Sequence, residues 1–164
     1  MITTVITLLV IYQIKHFVAD YPLQGEYMLR KFSADPKIWI PSLTAHAGVH
    51  AFFTLMIGMA VTGYFALPVG LAILDFVTHF TMDRIKASPN MLGRFKPIAG
   101  PEYVNLKHMS QMTGDHPEIV LARENATKDL AEKLRKNNYF WWSLGFDQMV
   151  HHLTHYAIIY ILVS

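Results

Sequence analysis

Histidine and aspartate recur four residues apart along this 164-residue chain: His16 with Asp20, His46 with His50, Asp75 with His79, Asp147 with His151. Asp83 extends the third set by one more step and His155 the fourth. In an α-helix that spacing stacks two side chains on one face, about 6 Å apart along the axis. Such a pair can share one metal ion or serve two adjacent ones, as in bundles that project ligands inward from facing helices. The chain has no cysteine, which excludes disulfides, Cys-ligated zinc, iron–sulfur clusters and thiol nucleophiles. Any metal is therefore held by nitrogen and oxygen, and imidazole with carboxylate suits Zn, Mn or Fe. The expected ligands are His16, His46, His50, Asp75, His79, Asp147 and His151, around one or two divalent ions, Zn or Mn ahead of Fe. Gln148, His152 and His155 are expected to stand behind them, and Asp20 and Asp83 are candidate general bases at the mouth. His108 and His116 fall in a polar connection and are expected to be solvated. The bland alternative is a network of Asp–His pairs gluing helices together, each worth about 0.6–2 kcal/mol. So many ionisable groups in so few helices exceed what glue requires.

The elements that carry these residues read as membrane helices. Hydrophobic residues make up 52% of the chain and charged ones 16%, and the mean hydropathy is +0.26. Soluble domains carry about 25% charge. A helix needs about 20 apolar residues to cross the hydrocarbon, where the backbone must bond within itself. Four segments qualify, at about 2–20, 41–61, 67–86 and 139–163. The second and third are joined by the short Thr62–Phe65 turn, and Pro68 suits a first helical turn. The opening Met1-Ile2-Thr3-Thr4 lacks the basic leader of a cleavable signal peptide and is expected to begin the first span. The expected fold is all-α: a single domain, residues 1–164, forming a four-helix transmembrane bundle. Its loop, 87–138, is expected to be irregular over 87–116, with room for short helices, and an amphipathic helix from Pro117 to Asn138 that lies at the membrane surface, caps the bundle or serves as a solvated linker.

The basic residues give these spans a direction. All 14 Lys and Arg fall in two stretches: Lys15 to Lys37, and Arg84 to Lys136. With four spans both stretches lie on one side, which the positive-inside rule makes cytoplasmic. The expectation is a multi-pass protein of the inner membrane with both termini outside. Trp39 and the run Tyr139–Trp142 suit the headgroup level. On this layout the His and Asp pairs of all four helices converge on one layer near the cytoplasmic face. The net charge of +2 is too small to argue for nucleic acid; the expected partners are the lipid bilayer and a lipid or phosphorylated substrate, and an oligomer is compatible with the sequence.

The order of motifs resembles a known family. His16-Phe-Val-Ala-Asp20-Tyr-Pro-Leu-Gln24, then His46-x-x-x-His50, Asp75-x-x-x-His79 and Asp147-Gln148-x-x-His151, resembles the domain of unknown function 3307 family of small prokaryotic and phage membrane proteins. The resemblance covers all four expected helices and little of the loop after Arg84. The chain is also distantly similar to membrane-bound metal-dependent hydrolases, which share His and Asp on short bundled helices.

Three functions follow as expectations. The first is a metal-dependent hydrolase acting on a phosphoester or other ester at the cytoplasmic leaflet, since a bound divalent ion activates water and stabilises charge on a phosphoryl oxygen. Lys15, Lys31, Arg84 and Lys86 are then either steering groups for an anionic head group or simple positive-inside anchors. No Ser–His–Asp order and no Gly-rich phosphate loop is legible. The second is a di-iron membrane oxidoreductase of desaturase or hydroxylase type, for which the aspartates are too many and the histidines too few. The third is a non-enzymatic membrane protein with a structural metal site or an ion pathway.

Overall fold

The computed structural model describes residues 2–164, and within them every regular element is helical. The helices are α1 (Ile2–Asp20), α2 (Glu26–Leu29), α3 (Pro36–Thr62), α4 (Ala66–Ala87), α5 (Gly100–Ser110) and α6 (Pro117–Val163), with short 3-10 turns at Arg30–Phe32 and Leu92–Arg94. Three are long and apolar enough to cross a membrane: α1, α3 and the stretch beginning with α4. The C-terminal part of α6 falls short of that hydropathy, because Asp147, Gln148, His151, His152 and His155 dilute its apolar residues.

Two boundaries differ from the sequence expectation. α3 begins at Pro36 instead of 41, because Asp35 caps it, accepting a hydrogen bond from the Lys37 N–H at 2.9 Å, and Pro36 supplies a preset φ at the first turn. α6 is unbroken from Pro117, so the amphipathic segment and the fourth expected span are one helix. No Gly or Pro lies between Pro117 and Gly145 to stop it. The 87–116 connection also contains α5, a helix of 11 residues.

The chain divides into two compact units: residues up to Gly93 together with Gly145–Ser164, and Arg94–Leu144. In the first unit, one stripe of each long helix is buried, and the stripes change character along their length. On α1 the buried series runs Leu8, Tyr12, Lys15, His16, Ala19. On α4 it runs Pro68, Leu71, Ala72, Asp75, His79, Met82, Asp83. On α3 it is Ser42, Leu43, His46, Ala47, His50, Thr54, Gly58. On α6, Asp147, His151 and His155 lead to Ile158, Ile159 and Leu162. The apolar ends meet as a core of Leu8, Tyr12, Leu71, Ile158, Ile159 and Leu162, and the ionisable ends meet as the centre described below. The outward faces stay apolar, with Phe17, Phe52, Ile73, Val77, Leu153 and Tyr160 among the exposed side chains. That is the inverse of a soluble bundle and suits lipid.

The α3–α4 hairpin is close-packed where the backbones approach. A Cβ on Gly58 would stand 2.9 Å from the Pro68 Cβ, so only glycine fits there. Gly63 closes α3 at φ +69°, donating to the Met59 carbonyl in the left-handed conformation that glycine adopts without penalty.

In the second unit, Glu102 of α5 pairs with Lys133 of α6, which also reaches Asp129 at 3.3 Å. The Lys133 ammonium holds the Glu102 carboxyl below its usual range, and Glu102 raises Lys133 in return. The Ile98 N–H donates to the Asn137 side-chain oxygen at 3.2 Å, and Phe95 packs on Tyr139 with ring centroids 5.1 Å apart. Trp141 and Trp142 stand out from α6, 56% and 70% exposed.

Candidate metal centre

Four helices deliver their ionisable stripes to one buried interior. His46, His50, Asp75, His79, Asp147, His151 and His155 are each at most 2% exposed. Helical period explains each stripe, since residues three and four apart share a face. The cost of burying such groups is met by pairing them.

The donors fall into four sets whose ligand atoms lie within 4.8 Å of one another. Asp20, His46 and His50 form the first. Its Oδ1 is 3.0 Å from His50 Nε2 and 3.4 Å from His46 Nε2. Asp83, Asp147 and His151 form the second, with His151 Nε2 3.4 Å from Asp83 Oδ1 and 3.3 Å from Asp147 Oδ1. Asp75, His79 and His155 form the third, with His79 Nδ1 2.9 Å and His155 Nε2 3.8 Å from Asp75 Oδ1. The fourth is His16, His50 and His79, so two histidines are shared between sets. Imidazoles stack through the middle: His50 on His79 at 3.8 Å between centroids, and His79 on His151 at 4.0 Å. His16 stands edge-on beside His50 and His155.

Several separations suit metal ligands better than hydrogen bonds. Tetrahedral zinc with bonds of about 2.0 Å keeps neighbouring ligand atoms about 3.3 Å apart. The 3.3–3.4 Å pairs of His46 and His151 match that edge, whereas good N–H···O bonds cluster nearer 2.9 Å. The ring nitrogens turned away from these carboxylates are a separate observation. Nδ1 of His16, His46, His50, His151 and His155, and Nε2 of His79, are buried without a hydrogen-bond partner. Such orphaned polar atoms are few in native interiors and call for a ligand, water or ion. The donor set therefore fits a divalent metal.

Three lysines complete the interior. Lys15 binds Asp75 Oδ2 at 2.6 Å, Lys31 binds Asp83 Oδ2 at 2.6 Å, and Lys86 binds Asp147 Oδ2 at 2.5 Å. Lys15 also lies 3.2 Å from His155 Nε2, and Thr54 donates to Asp75 Oδ2 at 2.5 Å. Asp75 and Asp147 thus each give one oxygen to an ammonium and turn the other to histidine, while Asp83 Oδ2 meets both Lys31 and, at 3.1 Å, His46 Nε2. Asp20 is the aspartate of the centre without a lysine, and the most open, its side chain 20% exposed. Lys86, 26% exposed, is the other group facing out.

All seven residues expected as ligands lie in these sets. His155, expected behind the ligands, stands among the donors. Gln148 does sit behind them, meeting His16 Nε2 at 3.1 Å and donating to Asp147 at 3.1 Å. His152 is half-buried, its ring 5.7 Å from His16. Of the two candidate bases, Asp20 is at the opening, while Asp83 is 5% exposed beneath Lys31. Arg84 lies over Trp39, 3.8 Å from the ring centre, and makes no contact with the donors. Sequence reasoning left the lysines as steering groups or anchors and passed over Thr54 and Tyr12. The signal for Thr54 was present: it continues the His46, His50 period by one turn. Lys15 likewise lies three residues from Tyr12 on the buried stripe. Lys31 sits in a 3-10 turn, where no period points to it.

A helical fold, three helices able to cross a membrane and a buried His–Asp–Lys centre define the class of protein. Within that class the chain belongs to the family described as "Protein of unknown function (DUF3307)", which it matches over residues 8–164. No curated protein and no solved structure matches it.

Proposed function

We propose that the protein is a four-span membrane hydrolase that uses one or two divalent ions, zinc or manganese, on a phosphoester at the cytoplasmic leaflet. The observation that carries this reading is the convergence of buried histidine nitrogens and carboxylate oxygens, within 4.8 Å of one another in each set, in one interior. The fourth span is the C-terminal part of α6, whose polar stripe faces inward and whose Leu153, Tyr156 and Tyr160 face out.

Charge favours a phosphoester over a neutral ester. Asp20, Asp75, Asp83 and Asp147 carry four negative charges and Lys15, Lys31 and Lys86 three positive ones, which leaves one negative with neutral histidines. One divalent ion makes the centre +1 and two make it +3, and either attracts an anion. A bound ion would supply an acidified water and a clamp for phosphoryl oxygen. The chain's residues do the rest. Asp20, at the opening and oriented by His46 and His50, takes the proton from the attacking water. Lys86, beside it in exposure, balances charge on the phosphoryl group. The apolar core of Leu8, Leu71, Ile158 and Leu162 closes the far end, which favours a blind site over an ion pathway.

The test is elemental mass spectrometry on detergent-purified protein beside an Asp75→Ala/His79→Ala variant, followed by a screen of phosphorylated lipids. One or two equivalents of zinc or manganese, lost in the variant, with phosphate released only by the loaded protein, is the expected result. A folded parent without metal overturns the reading, and stoichiometric iron replaces it with the oxidative one.

A further inference from the structure

Gln13 is at odds with its surroundings. The ionisable side chains in the middle of α1, α3 and α4 all turn inward to the centre described above, from Lys15 and His16 to His79 and Asp83. Gln13, the amide among these polar residues, is exposed. It lies seven residues before the end of α1 at Asp20, about 10 Å along the axis. Its side chain makes no hydrogen bond among the described residues. Where α1 crosses a membrane that depth is hydrocarbon, which offers an amide neither donor nor acceptor. An unanswered amide there is costly.

The amide sits in an apolar seam. Ile6, Val10, Gln13 and Phe17 follow one another at intervals of four, three and four residues, and all are exposed. That is the spacing of a helix-pairing seam, in which a single polar residue fixes the register. Beside the seam runs a groove of about 540 Å³ between α1 and α6, lined by Leu9, Val10, Gln13, Ile14, His152 and Tyr156. His152 meets the rings of His16 and Tyr156 there, and its nitrogens make no hydrogen bond among the described residues. A lipid chain would fill the groove and leave these polar groups unanswered. A second copy answers them. Copies inserted the same way carry Gln13 at the same depth, and an amide both donates and accepts, so two can bond across a two-fold axis. Bonds of this kind hold membrane helices together.

We propose that the protein pairs with a second copy of itself through α1, the two seams running parallel with Gln13 of each copy bonded to the other. The seam is turned away from the buried stripe of Leu8, Tyr12, Lys15 and Ala19, so the pairing does not depend on the hydrolase reading. The test is mild oxidation, in native membranes, of the otherwise cysteine-free chain carrying one of three substitutions. Val10→Cys and Phe17→Cys lie on the seam, and Val77→Cys on the outward face of α4. The expected result is a disulfide-linked dimer from the first two and none from the third. Sedimentation equilibrium of the parent in detergent should give a dimer. Gln13→Leu should raise its dissociation constant about 3- to 30-fold, and Gln13→Asn much less. Gln13 is exposed, so both variants should keep the parent's helicity; if Gln13→Leu fails to fold, Gln13→Ala should weaken the dimer in its place. A parent that stays monomeric, or that cross-links as readily through Val77→Cys, overturns the surface. A dimer indifferent to Gln13→Leu overturns the pairing about the amide. A monomer that retains lipid in native mass spectrometry, and loses it in Gln13→Leu, overturns the second copy and assigns the groove to lipid.

Discussion

At the residue scale, the buried lysines explain how four carboxylates share one interior. Breaking a buried ion pair leaves an uncompensated charge, which costs about 3–5 kcal/mol. Lys31 and Asp83 are such a pair, with side chains 8% and 7% exposed. Lys31→Met should therefore lower the stability of metal-free protein by about 3 kcal/mol. Added zinc should recover part of that loss, because a divalent ion supplies charge where the ammonium was removed. Thermal unfolding in detergent with and without zinc reads both effects; equal loss in the two conditions would argue against a metal beside Asp83. Thr54 tests the inner end of the site. Its hydroxyl is a donor to a fully buried carboxylate, so Thr54→Val should cost about 2 kcal/mol, the range for hydrogen bonds to charged groups. Thr54→Ser, which keeps the donor, should cost clearly less.

At the scale of elements, the hairpin of α3 and α4 sets the site's width. Gly58 lies on the stripe of His46, His50 and Thr54, and Pro68 on the stripe of Asp75, His79 and Asp83. Contact between Gly58 and Pro68 brings the two stripes into range of common ligands. A larger residue at Gly58 must push the helices apart, because the clash is with a rigid proline ring. Gly58→Leu should destabilise by about 1–3 kcal/mol, as overpacking does. It should also lower bound metal, although residue 58 touches no ligand. Elemental analysis of the folded variant decides it: full metal content would show that the hairpin spacing does not control the centre.

At the scale of the whole molecule, the proposed topology is open to a direct test. The chain has no cysteine, so single cysteines can be placed on a clean background. Cysteine at Ser110, in the long connection, should react with an impermeant thiol reagent only from the cytoplasmic side. Cysteine at Tyr64, in the α3–α4 turn and 77% exposed, should react only from the other side, as should cysteine at Ser164. Labelling of the Ser110 and Ser164 positions from the same side would rule out the fourth span and return α6 to the membrane surface.

Much of this was legible along the chain, because a helix is a local object. The i, i+4 spacing of His16 with Asp20, His46 with His50, Asp75 with His79 and Asp147 with His151 depends only on 3.6 residues per turn. The apolar runs that became α1, α3 and α4 follow from composition alone. The stop at Gly63 and the cap at Asp35 are local as well, although the start of α3 was placed too late because Pro41 read as its beginning. What lay beyond the sequence was lateral. Which stripe faces which, and so which histidine meets which aspartate, is settled only when helices distant in sequence pack. The lysines show this most clearly. Lys15, Lys31 and Lys86 reach Asp75, Asp83 and Asp147 across separations of 60, 52 and 61 residues. A lysine head group sits at the end of four methylenes, so its backbone position does not say whether it snorkels to the membrane surface or turns inward to a carboxylate. Burial decided that: inside a bundle the carboxylates must find cations, and these were the cations in reach.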